Sequence, residues 1–153
     1  MELSARAIEA RLAHEPRAVL ATLRADGSAA LVPIVFARAE GVLWSPIDAK
    51  PKRSAALARL VNVARDARVA LLLDGYAADW SRLWWLRVEG RARVAREALA
   101  AGEAALRAKY PQYPRVALHA GEPLLLRIEP TRISSWAASH AAVGAAEAEH
   151  AEE

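Results

Sequence analysis

The stretch AVLATLRADGSAALVPIVFARAEGVLWS, residues 18–45, decides the fold. Its first six residues predict a strand, and Asp26-Gly27 in the segment that follows predicts a tight hairpin turn. Residues 30–37 and 42–45 predict two further antiparallel strands, separated by a second turn that contains Gly41. Three strands in meander order therefore open a mainly β domain.

The second of these strands is apolar at both alternating positions, so that neither of its faces is polar. A strand of this kind is typically buried on both sides. The pattern therefore predicts that residues 30–37 lie either inside a barrel or under a second subunit.

A cationic hexapeptide, Asp48-Ala49-Lys50-Pro51-Lys52-Arg53, follows the third strand and contains two of the three lysines of the chain. Ser54 is a candidate N-cap for a helix that begins directly after it. The N–H groups at a helix N-terminus attract anions, and nearby cations strengthen this preference. A solvated surface loop is the simpler alternative. The position after three strands favours a phosphate site.

The rest of the 153 residues predicts further short elements. In the helix after the hexapeptide, we expect Leu57, Leu60, Val61 and Ala64 to face the core and Arg59, Asn62 and Arg65 to face solvent. Periodicity predicts helices at 4–14, 54–66 and 97–109 and strands at 69–73, 82–94 and 124–128. These elements predict one six-stranded antiparallel barrel over residues 1–137, followed by an Ala/Glu-rich tail at 138–153.

The segment DWSRLWWLR, residues 79–87, contains three of the five tryptophans. Strand alternation directs Trp84 inward, which is the usual position of a core aromatic residue. Trp80 and Trp85, with arginines beside them, form either further core or an aromatic wall for a planar acidic ligand. Nucleic acid is not expected, because Asp74, Asp79 and Glu89 would repel phosphates.

Several classes of function are excluded by what the sequence lacks. Without cysteine there is no thiol catalysis, disulfide or cysteine–zinc site, and the four histidines are too dispersed for a helical metal pair. The sequence has none of the glycine-rich nucleotide loops and no hydrolase nucleophile elbow. No apolar run approaches the roughly 20 residues that span a bilayer. We therefore expect a cytoplasmic protein without a metal or a membrane segment.

Four motifs in this order resemble one known family: residues 20–36 with their hairpin, the hexapeptide 48–53, the tryptophan segment 79–85, and RAKYPQY at 107–113. The sequence is similar, over residues 12–136, to the pyridoxamine 5'-phosphate oxidase-like superfamily. Within it, the motifs resemble the coenzyme F420-dependent oxidoreductases. The resemblance implies an FMN-binding-like split β-barrel that forms a homodimer, with cofactor sites in the clefts between subunits.

The resemblance also implies the cofactor contacts. It places the phosphate clamp at Lys50, Lys52 and Arg53, and the cofactor ring against Val32, Pro33, Ile34, Val35, Ser45, Pro46 and Ile47. Trp80 and Arg82 would approach from the second subunit. The implied reaction is hydride transfer between coenzyme F420 and a small-molecule substrate. FMN is the alternative cofactor, and a non-catalytic flavin or deazaflavin binder is the alternative function.

No residue is assigned a catalytic role by the resemblance. The substrate side of the reaction can require a proton, and the loop tyrosines Tyr76, Tyr110 and Tyr113 are the candidates to donate it. The alternative is that these tyrosines only pack.

Overall fold

A computed structural model describes residues 1–47, 53–119 and 121–142 of the chain. Within these residues the helices are α1 (Ala5–His14), α2 (Arg53–Arg65) and α3 (Ala100–Lys109), and Trp80–Arg82 forms a short 3₁₀ turn. The strands are β1 (Ala18–Leu23), β2 (Ala29–Ile34), β3 (Ala37–Ala39), β4 (Val42–Pro46), β5 (Arg68–Gly75), β6 (Trp84–Ala95) and β7 (Leu125–Ala137).

The strands form one antiparallel sheet in the order β2-β1-β5-β6-β7-β4-β3. The mainly β prediction is confirmed, as is the hairpin between β1 and β2, where Gly27 has the positive φ of 84° that a tight turn favours. Alternate residues of the central strands point inward and are fully buried, including Leu20, Leu71, Leu86 and Val88. They form the main hydrophobic core.

The predicted count of six strands is wrong, because the described chain has seven. The segment predicted as one strand at 30–37 breaks at Val35 and Phe36. Before the break β2 pairs with β1, and after it β3 pairs with β4. The buried Phe36 ring occupies the core at the break. A continuous apolar sequence does not reveal that the chain changes its pairing strand, because hydrophobicity does not specify which strand is the neighbour.

The predicted orientation of α2 is wrong at several positions, although Arg65 is exposed as predicted. Val61 is 58% exposed, whereas Arg59 and Asn62 are buried with Val63. The Asn62 amide donates a buried hydrogen bond of 3.0 Å to the hydroxyl of Thr22 in β1. Polar residues can face inward here because partners are available there, which lowers the cost of burying them.

The last strand is longer than predicted, since β7 continues past residue 128 to Ala137 along the whole of β6. A β-bulge beside Glu89 and Gly90 interrupts the pairing and obscures the alternation in the sequence. Of the segment predicted as a tail, residues 138–142 are described. The Ser139 hydroxyl donates to the carbonyl of Ser81 at 2.6 Å, and Ala142 is buried. Residues 143–153 lie outside the described residues.

None of the helices among the described residues is long and apolar enough to cross a membrane.

Candidate functional site

A cavity of about 420 Å³ lies where the ends of β2 and β4 meet helix α2 and the loop after α3. Its volume falls in the range of roughly 300–1,000 Å³ that is typical of small-molecule sites. The walls are mainly apolar, with two arginines and one tyrosine among them. The lining residues are Arg17, Pro33, Ile34, Val35, Ser45, Pro46, Ile47, Arg59, Tyr113, Val116, Ala117 and Leu118.

The strand break described above shapes the floor of this cavity. Val35 has left β2, so its carbonyl lacks a strand partner and instead accepts a 2.7 Å hydrogen bond from the hydroxyl of Ser45. Ser45 is fully buried at the end of β4. Pro33, which has no N–H to donate, is accommodated because β2 is at the edge of the sheet. The two segments therefore meet at the cavity floor.

Tyr110 holds the surrounding segments together. Its hydroxyl accepts a 3.0 Å hydrogen bond from the N–H of Phe36 and lies within 3.0 Å of the carbonyls of Phe36 and Pro16. Phe36 and Pro16 adjoin the lining residues Val35 and Arg17. Burial raises the pKa of the Tyr110 phenol to about 12. The phenol is therefore neutral, and its O–H donates a hydrogen bond to a backbone carbonyl. Its role is to connect these segments.

Arg59 supplies a positive charge within the wall. Only 8% of this residue is exposed, and it sits one turn before Asn62, whose bond to Thr22 fixes α2 against the sheet. Arg17 is exposed at the rim. Neither arginine was predicted from the sequence as a site residue. The spacing of Arg59 and Asn62, three residues apart on one helical face, was the available signal.

The cavity brings together the predicted ring contacts Pro33, Ile34, Val35, Ser45, Pro46 and Ile47. Val32 does not line it and packs instead against the main core. Lys50 and Lys52 lie outside the described residues, and Arg53 is described only as the first residue of α2. Ile47 therefore brings the chain to the cavity just before the cationic segment.

Trp80 and Arg82 do not line the cavity of their own chain. Trp80 is 74% exposed on the 3₁₀ turn before β6, and Arg82 is exposed at the end of the same turn. Their approach from a second subunit stays a prediction.

Of the three candidate tyrosines, only Tyr113 lines the cavity. Tyr76 is 79% exposed elsewhere on the molecule, and Tyr110 is committed to the backbone contacts described above. In the described part of the chain, no three histidine or acidic side chains are grouped as a metal site would require. The absence of a metal stays a prediction for the whole chain.

The apolar strand walls suit a planar ring, and the guanidinium of Arg59 suits an anionic group. The loop that carries Tyr113 to Leu118 covers one side. The contact of 3.1 Å between the His119 ring and the carboxylate of Glu103 anchors the end of this loop to α3.

Comparison with solved structures shows how widely this fold occurs. A conserved hypothetical protein from Mycobacterium tuberculosis aligns with a TM-score of 0.70 and 24% identity, over 90% of this chain and 87% of its own. The heme storage protein HutZ from Vibrio cholerae aligns with a TM-score of 0.67 and 16% identity, over 90% and 95% of the two chains. A protein described as F420 reductase aligns with a TM-score of 0.60 and 22% identity, over 82% and 94%.

A search of curated protein sequences gave no significant match. The family described as pyridoxamine 5'-phosphate oxidase matches residues 4–137, which include every strand described above and the whole lining of the cavity. On this match, the chain belongs to the pyridoxamine 5'-phosphate oxidase family.

Proposed function

We propose that this protein is an oxidoreductase that transfers a hydride between coenzyme F420 and a small organic substrate, with the cofactor held at the interface of a homodimer. One observation carries the proposal. Predicted ring contacts from two separate segments, 33–35 and 45–47, line a single cavity together with the buried Arg59.

The residues of the cavity fit a flavin-type cofactor in their chemistry. Pro33, Val35, Pro46 and Ile47 offer apolar walls for a planar ring, and Arg59 offers a guanidinium for a phosphate. The cationic hexapeptide supports the same assignment, since it begins with Asp48, the residue after Ile47. The hexapeptide therefore follows a residue of the cavity wall directly in the sequence.

A bound cofactor of this type supplies the ring position that accepts or donates a hydride. The protein supplies position and shelter from water. Ser45 and Tyr110 fix the floor, the loop at 113–118 covers the site, and Arg59 balances the charge of the phosphate. Tyr113 lines the cavity and is our candidate to hold a proton near the substrate.

Coenzyme F420 and FMN share a tricyclic ring and a phosphate, and the apolar walls do not distinguish them. The F420 reductase with the same fold supports coenzyme F420 as the first choice. The heme storage protein with the same fold supports a non-catalytic binder as the second candidate function.

Titration of the apo-protein with each cofactor, followed by tryptophan fluorescence, distinguishes these candidates. We expect coenzyme F420 to bind more tightly than FMN. Tighter binding of FMN would overturn the choice of cofactor. Binding of either without turnover, across enones, quinones, tetrapyrroles and nitro compounds, would favour the non-catalytic binder.

Arg59→Gln is expected to weaken cofactor binding by roughly 10- to 100-fold, because it removes one charge-assisted hydrogen bond to the phosphate. The same fluorescence titration measures this change. Arg93→Gln is the matched control, since Arg93 is exposed on β6 and lies outside the cavity. Equal losses in the two variants would show only a general effect of charge and would remove Arg59 from the site.

The outer face of β1, β2 and β5 supports the dimer. Val19 pairs with Pro33 and Leu72, and Ala21 pairs with Leu31, so that apolar side chains lie together on the side opposite the core. Leu31 is 67% exposed and Leu72 is 42% exposed. An apolar sheet face of this kind is typical of an interface between proteins. Pro33 belongs both to this face and to the cavity, so a second subunit seated here would border the cofactor.

Leu31→Lys is expected to raise the dissociation constant of the dimer at least about 10-fold, because it places a charge in an apolar interface. Light scattering at micromolar concentration measures the change. Val61→Lys is the control, because Val61 is also an apolar residue, 58% exposed, but lies on α2. A wild-type protein that is monomeric under these conditions would contradict the intersubunit site.

A further inference from the structure

A second, smaller cavity of about 200 Å³ lies at the end of β5 and the beginning of β6. Its walls include the side chains of Arg11, Tyr76, Arg82 and Trp84, and it shares no lining residue with the cavity described above. None of the residues that line it is acidic. It is therefore a separate pocket with two cationic groups in its walls.

Arg11 is an unusual residue for a pocket wall, because only 7% of it is exposed. Its guanidinium stacks over the Trp84 ring, 4.1 Å from the ring centroid. One terminal nitrogen, Nη1, donates to the carboxylate of Glu15 at 2.9 Å, and Nη2 makes only a long contact of 3.5 Å with the carbonyl of Ala142. The buried Nε has no acceptor among the described residues.

The unused donors lie on one edge of the guanidinium. Because Glu15 takes Nη1, the edge formed by Nε and Nη2 lacks a short hydrogen bond. That edge carries two parallel N–H groups, which match the two oxygens of a carboxylate. A buried donor without a partner carries an unfavourable desolvation free energy. A ligand that accepts a hydrogen bond from Nε removes this penalty, which favours binding.

The other walls limit the kind of ligand. Arg82 adds a second positive charge, and the Tyr76 phenol can donate a hydrogen bond. The Trp84 ring and Gly75 present apolar surface. The volume is below that of a typical site for a drug-sized ligand. A carboxylate with a short apolar body fits these walls.

We propose that Arg11, Tyr76 and Arg82 form a binding site for a small monocarboxylate, which the side-on edge of Arg11 holds by two parallel hydrogen bonds. This site gives Arg82 a role within its own protomer. It does not depend on the identity of the cofactor or on hydride transfer.

Gly75 gives the site a specific test. A Cβ added at this position would overlap with Nε1 of Trp84 and lie 2.8 Å from its Cδ1 and Cε2 atoms. Gly75→Ala therefore forces the indole to move, which disturbs its stacking with Arg11.

Isothermal titration calorimetry with sodium butyrate, against sodium chloride at the same ionic strength, tests the proposal. We expect butyrate to bind in the millimolar range or tighter. Arg82→Gln should weaken it at least about 5-fold, and Gly75→Ala at least about 10-fold, whereas Arg93→Gln should leave it unchanged. Arg82 is exposed, so this variant keeps the test valid if substitutions at the buried Arg11 fail to fold.

Two outcomes would overturn the proposal. The first is no butyrate binding beyond that of chloride. The second is equal affinity in wild-type protein and Arg82→Gln and Gly75→Ala. Arg59→Gln, a substitution in the first cavity, should leave butyrate affinity unchanged.

Discussion

The double substitution Lys50→Ala and Lys52→Ala is expected to weaken cofactor binding by ~2–4 kcal/mol, with little change in the melting temperature of the apo-protein. The reason is the loss of two charge-assisted hydrogen bonds to the cofactor phosphate, each contributing roughly 1–2 kcal/mol. At about 1.4 kcal/mol per factor of ten, the dissociation constant rises by roughly 30- to 700-fold. Fluorescence titration and a thermal melt measure the two quantities.

A second double variant, Arg93→Ala with Arg96→Ala, removes the same charge from exposed positions outside the cavity. It controls for long-range electrostatic attraction of an anionic cofactor. Unchanged affinity in the lysine variant would exclude the hexapeptide as the phosphate clamp. Comparison of the affinity losses in the lysine variant and in Arg59→Gln then shows how much the loop and α2 each contribute to binding the phosphate.

Gly90→Ala is expected to lower the free energy of unfolding by roughly 2–3 kcal/mol, the usual scale of overpacking. An added Cβ would overlap with the carbonyl oxygen of Glu129 and lie 3.1 Å from its carbonyl carbon and 3.3 Å from the Cα of Pro130. These are backbone atoms of β7 beside the bulge, so relief requires the two strands to separate locally. Chemical denaturation measures the change.

Gly121→Ala provides the control, since a Cβ there meets no atom within 4 Å. The two variants have the same chemical change in different surroundings. If both were equally stable, the close approach of β6 and β7 at Gly90 would be wrong.

The sequence predicted most of the strands because their burial follows a simple alternation. β1 was predicted at its exact limits, and β5 and β6 within two residues at each end. Alternation depends on local chemistry, which is why it can be read from one sequence. The failures arose where a distant partner decides the structure: the break after β2, the bulge in β7 and the inward polar face of α2.

The site residues also divide into those that the sequence identified and those that only the tertiary packing reveals. Residues 33–35 and 45–47 came from the family motifs, and the structure brings them to one cavity. Arg59 was missed because a helical arginine normally faces solvent, and only the packing of α2 on β1 reveals that it does not. Tyr110 was considered as a proton donor because sequence shows the presence of a hydroxyl group but not its hydrogen bonds.

The tryptophan segment illustrates a third case. Trp84 is buried as the alternation predicted, and Trp80 is exposed at the surface of the single chain. The proposed contact of Trp80 with a cofactor requires a second subunit. The apolar face around Leu31 likewise requires a second subunit to cover it.

A crystal structure of the protein grown with its tighter-binding cofactor tests the central claim most directly. We predict that the cofactor ring lies against residues 33–35 and 45–47, with its phosphate within hydrogen-bond distance of Arg59 and of Lys50 or Lys52. A ring bound outside this cavity, or a phosphate that contacts none of these three cations, would contradict the proposed site.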